Sequence, residues 1–208
     1  MIKIPAIKGF DEEAFQKYFK NTGWLMFGKV LSLIVGLIIA RYLGPAGYGD
    51  LSFALSLVAI MSAVGALGLD TFIIRELLKE PQNQKEILGT ALGLRMGVNL
   101  LLIPLTVGIY LSFYSLSDNP GEPLTWIIVL LATVSFFKSF NVIDSYFQSQ
   151  VQSKFVVQVQ NVCLFVSATL KIGLVILGFS LTWIVGAFLV ESILLAIGLI
   201  YIYQKRND

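Results

Sequence analysis

Six apolar runs, each near the length needed to cross a bilayer, constrain this chain more than any other feature. They fall at residues 24–42, 51–69, 87–111, 124–145, 155–177 and 181–203. An α-helix rises 1.5 Å per residue and the hydrocarbon core is about 30 Å thick, so about 20 apolar residues make one crossing. The runs are too long for membrane strands and lack a period of two, which excludes a transmembrane barrel. Of 208 residues, 56% are hydrophobic and 13% charged, against about 25% charged in soluble domains. The expectation is an all-α integral membrane protein, a bundle of about six transmembrane helices with almost nothing left for a soluble domain.

The chain divides into a segment 1–22, a membrane lobe 23–203 holding the six runs, and a tail 204–208. Within the first segment, Phe10, Phe15, Tyr18 and Phe19 alternate with Asp11, Glu12, Glu13, Lys17 and Lys20. Acids open this stretch and lysines close it, as the helix dipole favours, so it reads as an amphipathic helix in the membrane interface. Its mixed composition does not fit a cleavable signal peptide. Residues 44–49 form the first turn, 71–80 a second interfacial helix stopped by Pro81, and 115–123 a polar loop.

Lys3, Lys8, Lys17, Lys20, Arg75, Lys79, Lys85, Lys154, Lys205 and Arg206 all fall on one side of this layout. The other side has only Arg41, at a helix end. By the positive-inside rule both termini are cytoplasmic, and Trp126 and Trp183 anchor helix ends at the outer interface.

There is no histidine, which removes the usual general base, the commonest metal ligand and the usual partner of a nucleophile. The single cysteine, Cys163, lies in an apolar run and reads as a small hydrophobe. No enzyme, cofactor or metal site is expected, and a net charge of +2 without a basic patch gives no reason to expect nucleic acid.

Five ionisable residues lie well inside the runs: Lys29, Arg95, Lys138, Lys171 and Glu191. Each costs about 2.5–3.5 kcal/mol at a helix centre, so each needs a compensating environment. Helical rise puts Lys29, Arg95 and Lys138 at a similar depth in the inner half of the membrane. Asn99 follows Arg95 by four residues, Asn141 follows Lys138 by three, and Ser32 follows Lys29 by three, so each pair shares a face. Gln160, Ser167 and Lys171 add a stripe on the fifth run. Two readings stand: a hydrated cationic cavity for an anionic group such as a diphosphate, with Asn99, Asn141 and Gln160 lining it, or snorkelling lysines and local ion pairs. Glu191 reads either as the ion-pair partner of Lys171 across antiparallel helices or as a coupling carboxylate. Gly89, Gly93 and Gly97 recur every four residues and suggest a seam for close helix packing.

The string Asn21-Thr22-Gly23-Trp24, then Arg41-Tyr42-Leu43-Gly44-Pro45-Ala46-Gly47-Tyr48-Gly49, then Gly68-Leu69-Asp70 and Arg75-Glu76, resembles bacterial polysaccharide biosynthesis proteins. These are the O-antigen and exopolysaccharide flippases, related to lipid II flippases and multidrug exporters. Gly89-Thr90-Ala91-Leu92 with Arg95 extends the resemblance. It implies a multi-pass transporter of the bacterial inner membrane that turns a polyprenyl-diphosphate-linked oligosaccharide from one leaflet to the other. Lys29, Arg95 and Lys138 would then contact the head group, with Lys171 further along the path. Such transporters have two six-helix lobes, and the resemblance covers the first. The implied partners are the lipid-linked oligosaccharide, membrane lipids, a second copy or a second-half subunit, and a glycosyltransferase or polymerase of the same pathway. Two alternatives remain: a cation-coupled multidrug exporter of the same fold, which needs acids where the expected interior is net basic, and a non-transporting component of a polysaccharide assembly complex.

Overall fold

In hydrocarbon no water takes up backbone hydrogen bonds, so an apolar chain closes them within helices. The computed structural model describes residues 12–66, 68–116 and 124–207, with side chains from residue 23 onward except 24, 25 and 207. These residues form α1 (Glu12–Ala66), α2 (Leu69–Lys79), α3 (Gln84–Ser115), α4 (Thr125–Phe137), α5 (Val142–Ser149), α6 (Lys154–Ile176) and α7 (Leu181–Asn207), with no strand among them. Among the described residues, five segments are long and apolar enough to cross a membrane: Met26–Lys79, Pro81–Ser115, Thr125–Ser149, Lys154–Ile176 and Leu181–Arg206. The protein is an all-α membrane bundle. Of the amphipathic segment 1–22, residues 1–11 lie outside the described part, as does most of the loop 115–123.

Spans one and two, expected as separate helices joined by a turn over 44–49, are one helical run interrupted only at Gly44. Its φ of 65° and ψ of −178° are tolerated by glycine, and Pro45 follows at a first helical position, where its missing N–H costs nothing. One residue therefore makes the break. Ser32 and Ser62 line the same cavity, although thirty residues of straight helix would hold them about 45 Å apart. The two arms of α1 thus run back along each other, and Val35 and Ile39 share a core cluster with Leu51, Ala54 and Val58.

The Gly44 end of the bundle is fastened by polar tips of tyrosines. Tyr42 Oη donates to the Phe179 carbonyl at 3.1 Å, and Tyr110 Oη accepts the Leu124 N–H at 2.7 Å. Trp126 and Trp183 are exposed at this end, in the first turns of α4 and α7. At the opposite end the Tyr146 and Tyr203 rings meet at 5.2 Å, and the Arg206 guanidinium lies 3.9 Å from the centre of the Phe155 ring. Gly28 abuts Asn161, two turns into α6, so the first arm also starts here. Both described ends of the chain share one end of the bundle. The fold itself does not say which side of the membrane that end faces; its cytoplasmic placement is the expectation drawn from the loop charges.

Helix α2 begins at Leu69, after Gly68 in the left-handed region, two residues earlier than expected. Asp70 in its first turn and Lys79 in its last suit the helix dipole. Its Ile73 and Leu77 are buried against Leu88 and Ala91 of α3 and Val142 of α5.

The fourth span departs most from expectation. Instead of one helix over 124–145, α4 stops at Phe137, residues Lys138–Asn141 form a 3-10 turn, and α5 continues to Ser149. Buried Ser139 accepts a hydrogen bond from Asn99 Nδ2 at 2.9 Å, which ties the tight turn to α3. Inside a helix, 3-10 geometry of this length marks strain or function.

The glycine seam also lies elsewhere. A Cβ on Gly89, Gly93 or Gly97 would meet nothing within 4 Å, whereas one on Gly28, Gly65 or Gly198 would strike Asn161, Asn99 or Val159. Sequence spacing marks a smooth ridge, but only a neighbouring helix makes the ridge a contact. We predict that Gly198→Ala, which collides with the stiff β-branched Val159, destabilises the protein by about 1–3 kcal/mol. Gly93→Ala should be neutral or slightly stabilising. Thermal unfolding of both variants in detergent checks the contrast.

Candidate functional site

Four helices contribute polar side chains to one region. Arg95 and Asn99, a turn apart on α3, are 4% and 7% exposed, and face Asp70 at the start of α2 and Lys138 on the 3-10 turn across a cavity of about 400 Å³. Asn141, Asp144 and Gln148 complete its polar wall. A second cavity of about 520 Å³ lies between the two arms of α1, α4, α6 and α7. Its walls are mostly apolar, with Val35, Ile39, Val58, Leu131 and Leu195 around Lys171 and Glu191. Ser62 and Lys138 line both cavities, so the 3-10 turn stands at their junction. Ser62 and Ser135 bridge their hydroxyls at 2.5 Å beside it.

The charges are sorted unevenly. Arg95 Nη2 donates to Asp70 Oδ1 at 2.7 Å, and Ser145 Oγ reaches the same oxygen at 3.4 Å. Lys171 Nζ donates to Glu191 Oε2 at 2.6 Å, Ser167 Oγ donates to it at the same distance, and the ammonium also lies 3.5 Å from the centre of the Phe188 ring. Arg95 and Lys171 are thus committed to carboxylates. The Lys138 side chain makes no ion pair or hydrogen bond with another described residue. The Arg95 Nε–H has no acceptor among the described residues either.

Expectation and structure differ in three respects. The first is Lys29, which is exposed and lines neither cavity. It lies on the helical stripe of Ser32 and Gly36, which do line the second cavity, one turn towards the α2 end. Gln160 is half-buried and also lines neither, while Ser167 and Lys171 of the same stripe converge on Glu191. The third difference is electrostatic. The interior expected to be net basic holds three cations, Arg95, Lys138 and Lys171, and three acids, Asp70, Asp144 and Glu191.

Sequence reasoning missed Asp70 and Asp144 as site residues. Asp70 stood outside the apolar runs, and Asp144 at the very end of one. The spacing of Asn141, Asp144, Ser145 and Gln148, at steps of three and four, was the available signal for the second.

Residues 18–207 match the family model for polysaccharide biosynthesis proteins, nearly the whole chain. The chain belongs to that family. No curated protein and no solved structure matches it. The family match reaches through α7, beyond the N-terminal motifs that carried the resemblance. In this polysaccharide biosynthesis protein the paired charges join α2 to α3 and α6 to α7, and the uncommitted Lys138 and Asp144 face the polar cavity.

Breaking one partner of a buried pair leaves the other charge stranded, at a cost of about 3–5 kcal/mol, whereas removing both is far milder. Lys171→Met should therefore lower thermal stability more than Lys171→Met combined with Glu191→Gln. Unfolding of single and double variants in nanodiscs measures the difference.

Proposed function

We propose that this protein flips a polyprenyl-diphosphate-linked oligosaccharide across the bacterial inner membrane, and that Lys138 receives the diphosphate. Such a substrate is a polar head joined to an apolar chain through two phosphates. The observation that carries the proposal is the position of Lys138: an uncommitted cation where a polar cavity meets an apolar one. An ammonium is a compact point charge and suits a phosphate that must be bound and then let go. The near balance of cations and acids serves the same end, because a strongly basic interior would hold a diphosphate too tightly to release it.

Arg95 supports Lys138 in this reading. Its bond to Asp70 uses one of five N–H donors, and the unsatisfied Nε–H can be met by a phosphate oxygen after a small rearrangement. Lys171 contributes by holding α6 to α7 beside the apolar cavity, since its charge is already answered by Glu191.

Export of a cationic drug is the second reading, and one observation favours it: Asp144 is a cavity carboxylate without a cationic partner among the described residues. Drug efflux lost in Asp144→Asn, with polysaccharide export retained, would turn the assignment that way. For the first reading, Lys138→Ala should lower polysaccharide export in a flippase-deficient strain about tenfold or more while its membrane level stays normal. Lys138→Arg should retain most of the export. Wild-type export by Lys138→Ala would remove this residue from the mechanism.

A further inference from the structure

The 3-10 turn and α5 present a stripe that holding the bundle together does not require. Asn141, Asp144 and Gln148 follow one another at steps of three and four, so their side chains share one face, and all three line the polar cavity. The Asn141 side chain makes no hydrogen bond with another described residue, and among the described residues the Asp144 carboxylate is hydrogen-bonded by Gln148 on the same stripe. Two amides and a carboxylate are thus turned into about 400 Å³ of space, within the usual range of small-molecule sites of about 300–1,000 Å³.

We infer that this stripe reads the sugar residue adjacent to the diphosphate, and that Asp144 makes the site selective against sugars bearing a carboxylate. A pyranose hydroxyl both donates and accepts. A carboxylate accepts at two oxygens, and each carboxamide offers two donors and an acceptor, so the wall matches a ring of hydroxyl and acetamido groups. The charges facing Asp144 set the selectivity. Asp70 of α2 lies near enough to repel it, the guanidinium of Arg95 on α3 is already bound to Asp70, and Lys138 is occupied by the diphosphate. A uronic acid would bring a third carboxylate beside Asp70 and Asp144 with no free cation to meet it, and like charges at close quarters repel. A neutral or N-acetylated sugar meets no such obstacle. The inference rests on the assignment of the diphosphate to Lys138.

The test uses the full chain in nanodiscs and three probes: a short-chain prenyl diphosphate, the same lipid carrying one N-acetylhexosamine, and the same lipid carrying one hexuronic acid. Titration calorimetry gives the affinity for each. The wild-type protein should bind the N-acetylhexosamine probe about tenfold more tightly than the bare diphosphate, and the hexuronic acid probe no more tightly than the bare one. Asn141→Ala and Gln148→Ala should collapse the ratio of sugar-bearing to bare probe towards one. Asp144→Asn, which keeps the shape, should raise the affinity for the hexuronic acid probe about tenfold. Equal wild-type affinities for the bare and N-acetylhexosamine probes, or an unchanged preference in all three variants, would overturn the inference. Lys138→Ala separates the two assignments. If it leaves the bare diphosphate bound as in wild type while the stripe variants still abolish the sugar preference, the diphosphate assignment fails and the sugar site stands.

Discussion

An ionisable side chain in hydrocarbon needs a counter-charge or water, and that requirement organises this bundle. Two ion pairs meet it within the protein. Arg95 with Asp70 joins α3 to the short helix α2, and Lys171 with Glu191 joins α6 to α7. In each pair the cation is buried while the acid keeps part of its surface open, and a hydroxyl shares the acid, Ser145 on Asp70 and Ser167 on Glu191. What the pairs leave over is informative for the same reason. Lys138 and Asp144 remain in the polar cavity without such neutralisation, so a ligand there meets one uncommitted cation and one uncommitted acid instead of a field of positive charge.

The break in the fourth span gives those groups their place. A continuous α-helix through residue 138 would have one face and one set of neighbours. The 3-10 turn over Lys138–Asn141, tied to α3 through Asn99 and Ser139, changes the twist midway. Lys138 then borders both cavities, and the residues after it begin the stripe on α5. Local backbone geometry, tertiary hydrogen bonding and the separation of polar from apolar space are thus parts of one arrangement.

Much of the fold was legible. The apolar runs lie in the helices observed, because in a membrane length and hydropathy leave the backbone little else to do. Gly44-Pro45 marked the reversal of the first hairpin, although the structure needs only Gly44 to make it. Pairs at helical spacing were also readable: Arg95 with Asn99 and Lys138 with Asn141 do share the cavity. Spacing along one helix failed wherever the answer depended on a second. The regular glycines of α3 face nothing, while isolated Gly28, Gly65 and Gly198 sit at close approaches. Lys29 and Gln160 line neither cavity, although Ser32 and Lys171 on the same stripes reach the second.

By itself the sequence determined the solvent, the helices, the first hairpin and the family, since each follows from runs and motifs contiguous in the chain. Only the tertiary structure decided which charges are spent and which are free. Asp70 meets Arg95 from 25 residues away and Glu191 meets Lys171 from 20, so the electrostatic balance of the interior belongs to helix packing and not to any one segment.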